Sequence, residues 1–149
     1  MFDYSYNGDP RQLPASVLAY IGDAVFELYT RLNVIEKTHG NVKGIHHKTI
    51  MLVNAKAQAA AAYRVMGSLT EEEVSIFKRG RNSHSKSMAK NANPADYQAA
   101  TGFEALIGFL YLMHEDGRLK EILSYIYIET PEDAISKHND KENLIWKMK

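Results

Sequence analysis

The 149-residue sequence predicts an all-α protein, and three observations carry that expectation. Apolar residues recur at helical spacing nearly throughout, stretches with strand alternation are scarce, and prolines or polar caps stand where helices should begin. The length fits one domain with a substantial core, residues 1–149, its folded part expected at about 14–128 and a polar tail at 131–149.

The first helix is expected over about 14–33, opened by Pro14, whose fixed φ suits a first turn. Gly22 in its interior costs about 1 kcal/mol relative to alanine, so it should admit a neighbouring backbone or ligand, or permit a kink. A loop with His39 and Gly40 leads into a second helical region, about 44–66, which could break at Val53 and Asn54. Gly67 and Ser68 mark a turn. Thr70 followed by Glu73 is a capping-box pattern, and it places Glu71, Glu72 and Glu73 in one first turn, which accounts for them without any chemistry. That helix runs through Ile76 and Phe77 into Lys78-Arg79-Gly80-Arg81-Asn82. Residues 83–93 are polar apart from Met88 and read as an exposed loop. Pro94 opens a long apolar helix expected to end around Asp116 and Gly117. One more amphipathic helix, about 118–128, follows, and Pro131 stops it.

Composition narrows the function. With no cysteine, disulfides, thiolate metal sites and cysteine nucleophiles are excluded, and a reducing cytoplasm is compatible. Met1 to Gln12 is polar and Tyr-rich rather than a signal sequence, and no segment reads as a membrane span, so a soluble, cytoplasmic protein is expected. The zero net charge hides an asymmetry: residues 1–36 carry −3, residues 37–90 carry +7 and residues 91–149 carry −4. The basic middle also holds four of the six histidines, His39, His46, His47 and His84. Such a segment suggests a polyanion-binding face, or a solvated basic surface without a partner.

Two apolar stretches each hold a single carboxylate. Asp23 is the only charge between Gln12 and Phe26, and Glu104 the only one between Tyr97 and Met113. A carboxylate on an apolar helix face is costly unless it is paired or protonated. The helical neighbours of Asp23 are Ala19, Tyr20, Phe26 and Glu27, and those of Glu104 are Ala100, Thr101, Ile107 and Gly108, so no local base is available. Either carboxylate alone is equally read as solvent-facing or bonded to distant residues. The two together point to a shared divalent cation.

The segment Leu18-Ala19-Tyr20-Ile21-Gly22-Asp23-Ala24-Val25-Phe26-Glu27-Leu28 resembles the signature helix of the ribonuclease III family. Phe103-Glu104-Ala105-Leu106-Ile107-Gly108-Phe109-Leu110-Tyr111-Leu112 resembles its second catalytic helix. The order, the separation, the Lys78-to-Asn82 run and Asn54-Ala55-Lys56-Ala57-Gln58-Ala59 are similar to the short bacterial subgroup, Mini-ribonuclease III, over about 14–128. The resemblance implies the helical endonuclease-domain fold of that family as a homodimer. It implies Mg²⁺, with Mn²⁺ as a substitute, held by Asp23 and Glu104 as catalytic residues, and hydrolysis of double-stranded RNA to leave 5′-phosphates. Family membership further points to maturation of the large-subunit (23S) ribosomal RNA precursor. Tyr20 aligns with an aromatic that enters a socket on the partner subunit; a core tyrosine is the other reading.

Two departures stand out. Where the family carries glutamates seven and four residues before the aspartate, this chain has Ser16 and Ala19, and where it has an aspartate three before the glutamate, this chain has Thr101. A thinner carboxylate shell should hold the cation more weakly and raise the Mg²⁺ requirement. Duplex RNA is contacted through phosphates and 2′-hydroxyls, which makes Lys78, Arg79, Arg81, Asn82, His84, Lys86 and Lys90 candidate contacts, with His47, Lys48 and Lys56 second. Some arginines near a helix end should instead cap carbonyls. No separate double-stranded-RNA-binding domain is expected, which predicts weak, salt-dependent binding. The competing readings are a non-catalytic, ribosome-associated RNA-binding protein with the same fold, and an α-helical nucleotide pyrophosphohydrolase. The second needs an E-x-x-E pair that neither helix offers.

Overall fold

The computed structural model describes residues 5–37, 40–83 and 93–127. Among the described residues there are six α-helices and no strand: α1 (Ala15–Lys37), α2 (Val42–Val53), α3 (Ala55–Val65), α4 (Glu71–Arg81), α5 (Pro94–Leu112) and α6 (Asp116–Ser124). Short 3-10 turns at Pro10–Gln12, Met66–Ser68 and Tyr125–Tyr127 flank them.

Helix α5 is the axis of the molecule, as its nearly uncharged sequence requires. Residues 105–110 are all buried, because a helix apolar on every face can be stable only inside a core. α1, α3 and α4 pack around it. Phe26 and Phe103, both fully buried, meet edge to face with ring centroids 6.1 Å apart. α3 contributes the small Ala59, Ala61 and Ala62, all buried, and α6 closes the far end with Leu119, Ile122 and Leu123.

Several boundaries follow from caps. The break between α2 and α3 falls at Asn54, whose side chain accepts from Ala57 N at 2.9 Å and donates to the Met51 carbonyl at 2.7 Å, so one residue ends one helix and starts the next. The capping box is present: Glu73 N donates to Thr70 Oγ1 at 3.2 Å and Thr70 N donates to Glu73 Oε2 at 2.9 Å. α1 runs beyond the expected end to Lys37, with Val34 still buried. α5 stops earlier than expected, at Leu112. His114 adopts the left-handed region with φ 56°, and His114 N and Glu115 N donate to the carbonyls of Tyr111 and Leu110 at 3.1 and 3.0 Å. This closes the helix in the way a glycine usually does. Asp116 and Gly117, expected as the stop, instead begin α6.

Ion pairs fasten the N-terminal segment and α6 to the start of α4. Arg118 on α6 donates Nε to Glu73 Oε1 and Nη2 to Glu73 Oε2, both at 2.8 Å, and Nη2 also reaches the Ser68 carbonyl at 2.7 Å. Arg11 grips Glu72 at 2.7 and 3.0 Å and lies over the Phe109 ring. Two of the three consecutive glutamates are therefore structural. No helix among the described residues is long and apolar enough to cross a membrane.

Candidate active site

The site is built where α1 and α5 touch backbone to backbone. A Cβ added to Gly22 would collide with the carbonyl oxygen of Glu104 and lie 2.9 Å from Gly108 N. A Cβ on Gly108 would collide with the Leu18 carbonyl and lie 2.9 Å from Gly22 N. The expectation that Gly22 admits a neighbouring backbone is met, and its partner is Gly108, one helical turn beyond Glu104. Because Asp23 directly follows Gly22, this contact brings the two lone carboxylates of the sequence to one place.

The two carboxylates differ in setting. Glu104 is half-buried, and its carboxyl is pushed up to about 7, first by burial and then by the negative charge of Asp23, while the amide of the buried Gln58 works in the opposite direction. Asp23 lies at the exposed edge. Partial desolvation of its carboxyl, then the charge of Glu27, also raises it. The sequence reading placed both carboxylates on an apolar face, and for Asp23 that is corrected. α1 carries two apolar arcs, a buried one with Leu18, Phe26 and Val34 and an exposed one with Val17, Tyr20, Leu28, Leu32 and Ile35. Asp23 lies at the boundary between them.

Two adjacent carboxylates, both harder to ionise than usual and without a basic partner among the described residues, form an incomplete electrostatic arrangement. A divalent cation suits the donor set. Among the described residues no group of three or more His, Cys, Asp or Glu gathers in metal-holding geometry, so Asp23 and Glu104 are the carboxylates there that would hold such an ion. Mg²⁺ is commonly held this way, by one or two carboxylates with several waters retained. Thr101, where the family has an acid, brings no negative charge to the site; its hydroxyl donates to the Tyr97 carbonyl at 3.0 Å. Ala19 is buried and Ser16 exposed.

The remaining site residues separate into groups. Lys78 and Asn82 are exposed on α4 and its C-cap, and with Glu71, Val74, Ser75 and Arg79 they line an open groove. Arg79 is half-buried, and its guanidinium donates to the carbonyls of Arg11 and Leu13 at 3.3 and 2.6 Å. It is the carbonyl-capping arginine that the helix-end position allowed for. Arg81 donates to Asn82 Oδ1 at 3.2 Å. On α2 and α3, His47 and Lys56 are exposed and Lys48 half-buried. His84, Lys86 and Lys90, and most of the expected loop, lie outside the described residues. Tyr20 is 78 % exposed, so it is no core tyrosine. Gln58 and Gly108 were missed as site residues. Their signals were a lone amide in the alanine-rich stretch 55–62, and a helix-interior glycine four residues after Glu104.

Comparison with known proteins agrees with this geometry. The family model of the ribonuclease III domain matches residues 16–115. A Mini-ribonuclease 3 of Clostridium tetani is 44 % identical over 137 residues, covering 89 % of this chain and 91 % of the relative. That of Symbiobacterium thermophilum is 43 % identical over 115 residues, 77 % of this chain and 88 % of the relative. A crystal structure of a Fusobacterium nucleatum protein superposes with a TM-score of 0.73 at 29 % identity, covering 80 % of this chain and 96 % of that one. The span matched by the family model contains Asp23 and Glu104, and the chain belongs to the ribonuclease III family, in its Mini-ribonuclease 3 branch.

Proposed function

We propose that the chain is a Mg²⁺-dependent endoribonuclease that cleaves double-stranded RNA and matures the large-subunit ribosomal RNA precursor. The observation that carries this reading is the meeting of Asp23 and Glu104 at the Gly22–Gly108 contact, with no basic side chain paired to either among the described residues. Asp23 and Glu104 would hold the metal; Mn²⁺ offers the same charge and accepts the same oxygen donors. When bound, the ion supplies a hydroxide near neutral pH and charge neutralisation at the scissile phosphate. Glu104 must be ionised to act as a ligand. With its carboxyl at about 7, proton loss from Glu104 is coupled to metal binding, and cleavage should rise with pH through that region.

Lys78, Arg81 and Asn82 on α4, with His47, Lys48 and Lys56 on α2 and α3, supply contacts to phosphates and 2′-hydroxyls. From the sequence alone, His84, Lys86 and Lys90 join them. Arg79 acts through the segment whose carbonyls it holds. The exposed apolar arc of α1, with Tyr20 at its N-terminal part, is the homodimer face, since monomers rarely leave such a stripe in water. Tyr20→Ala should shift the monomer–dimer equilibrium towards monomer in sedimentation; an unchanged equilibrium removes it from the interface.

The test is cleavage of a labelled duplex beside its single strands, with Mg²⁺ or EDTA, by the native protein and Asp23→Asn. Duplex-specific, Mg²⁺-dependent cutting lost in the variant is the expected outcome. Binding without cutting, across several structured RNAs that include ribosomal precursor stems, would leave a non-catalytic RNA-binding protein.

A further inference from the structure

Helix α5 is touched backbone to backbone on both sides of Glu104. Four residues after it, Gly108 meets α1 in the contact that assembles the site. Two residues before it, Gly102 meets α4: a Cβ there would lie 2.8 Å from the Phe77 carbonyl oxygen and 3.0 Å from the Phe77 ring. The contact is mutual. A Cβ on Gly80 would lie 2.7 Å from Ala105 Cβ, 2.8 Å from Gly102 Cα and 2.9 Å from the Thr101 carbonyl oxygen. α4 is therefore seated on the turn of α5 that carries Glu104, and the seat exists only because neither glycine bears a side chain.

The opposite side of α4 gives the seat its meaning. Ile76, Phe77 and Gly80 are buried, whereas the exposed Ser75, Lys78 and Asn82 recur at i, i+3 and i+7 and line the open groove. One helix, with no side chain between its backbone and α5 at Gly80, separates that groove from the turn bearing Glu104. An alanine at 80 would meet a methyl group, a Cα and a carbonyl oxygen, none of which can swing aside. Restoring carbon–carbon contacts of about 3.5–4 Å requires α4 to move by roughly 1 Å. Its N-terminal turn is fastened through Glu72 to Arg11 and through Glu73 to Arg118, so the movement falls on the turn of Lys78 and Asn82. Resting on the metal-dependent nuclease reading above, we propose that Gly80 and Gly102 are positioning residues: their backbone contact sets the reach from the phosphate contacts on α4 to the Asp23–Glu104 site, so that a duplex gripped in the groove presents one phosphodiester to the ion.

The test uses Gly80→Ala and Gly102→Ala, so that failure of one to fold leaves the other, and Gly67→Ala as a control, since nothing lies within 4 Å of a Cβ there. Three quantities are read. They are Mn²⁺ affinity of the RNA-free protein by electron paramagnetic resonance, the ratio of duplex affinity in Ca²⁺ to that in EDTA, and the single-turnover rate and positions of cutting at saturating duplex and Mg²⁺. Ca²⁺ takes oxygen donors, and in the native protein it should tighten duplex binding because ion and groove engage one RNA backbone. In both seat variants Mn²⁺ affinity and duplex affinity in EDTA should stay within a few-fold of native. The Ca²⁺ ratio should fall towards one, and the rate should drop about 10²-fold, the effect of a misplacement of about 1 Å, with cuts spread to neighbouring phosphodiesters. Adding Ala105→Gly to Gly80→Ala removes the methyl group that the new one meets and should recover part of the rate. Rates and ratios equal to those of Gly67→Ala would overturn the proposal, as would a Ca²⁺ ratio of one in the native protein. A fall in Mn²⁺ affinity matching the fall in rate, or failure of both variants to fold, would make the contact a matter of stability alone and overturn it too. Native protein that shows the Ca²⁺ effect without cutting would defeat the nuclease reading, while the seat would still be judged by the ratio.

Discussion

Glu73 and Glu104 are both glutamates withdrawn from water within the same helical core, and their surroundings are opposite. Glu73 receives two hydrogen bonds from the Arg118 guanidinium and one from the Thr70 backbone, which hold its carboxyl below the usual carboxylate range. Glu104 meets a second carboxylate and one neutral amide, and its carboxyl is pushed up to about 7. A fold gains nothing from the second arrangement. Desolvating an acid beside another acid opposes folding, and a cation from outside would relieve the opposition. The contrast separates a glutamate that holds the structure together from one kept available for chemistry.

The sharpest way to break this contrast is to neutralise each glutamate in turn. Glu104→Gln should lower duplex cleavage by at least ~10³-fold, because a metal ligand worth several kcal/mol is lost. The same substitution should leave the melting temperature in EDTA unchanged or raised. Glu73→Gln should do the reverse, leaving cleavage per folded molecule within a few-fold while costing about 2 kcal/mol, or roughly 6 °C in melting temperature, because Arg118 loses its buried carboxylate and keeps only Glu121 and the Ser68 carbonyl. If both variants lose stability and activity together, the division between the two residues fails.

Much of this was legible in the sequence, and the limits have physical causes. The capping box at Thr70, the break at Asn54 and the interior helix around Glu104 were readable because they depend on local hydrogen bonding and periodicity. So was the meaning of Gly22, since an interior glycine needs a reason. The identity of its partner, Gly108, was not, because only tertiary packing decides which two glycines meet. The end of α5 was misplaced because His114 takes the left-handed conformation that sequence rules assign to glycine or asparagine. Asp23 looked buried because α1 is apolar on two arcs, one against the core and one exposed, and a one-dimensional pattern merges them. Gln58 escaped notice because an amide carries no charge, although its burial makes it consequential.

A second prediction sharpens the comparison through pH. A carboxyl raised from 4.5 to about 7 holds its proton more tightly in the folded state than in the unfolded one. Its contribution is therefore fully present below about 4.5 and is lost as pH rises through about 7. Glu73, shifted downwards, contributes in the other direction: its stabilisation is present above the unfolded value and is lost as pH falls. Metal-free native protein and Glu104→Gln should thus have similar stability near pH 5. By pH 8 the variant should be ahead by about 2 kcal/mol after allowance for screening. Adding Mg²⁺ should close the gap at pH 8 by stabilising the native protein alone. Parallel urea-denaturation midpoints for the two proteins from pH 5 to 8 would contradict the raised Glu104.

The smallest expected effect concerns the cations, which divide as the glutamates do. Arg118, Arg11 and Arg79 are engaged by Glu73, Glu72 and backbone carbonyls, whereas Lys78 projects into the open groove along α4 with no ion pair among the described residues. A lysine left with water and counterions is available to a phosphate, and its contribution should be electrostatic and independent of sequence. Lys78→Ala should weaken duplex binding a few-fold at moderate salt and reduce the slope of log affinity against log salt by about one, with the melting temperature unchanged. Arg79→Ala should instead lower stability, because two carbonyls of the N-terminal segment lose their donor, and its effect on the salt slope should be smaller than that of Lys78→Ala. Equal slopes for the two variants would mean that the groove's cations cannot be sorted by the partners they already hold.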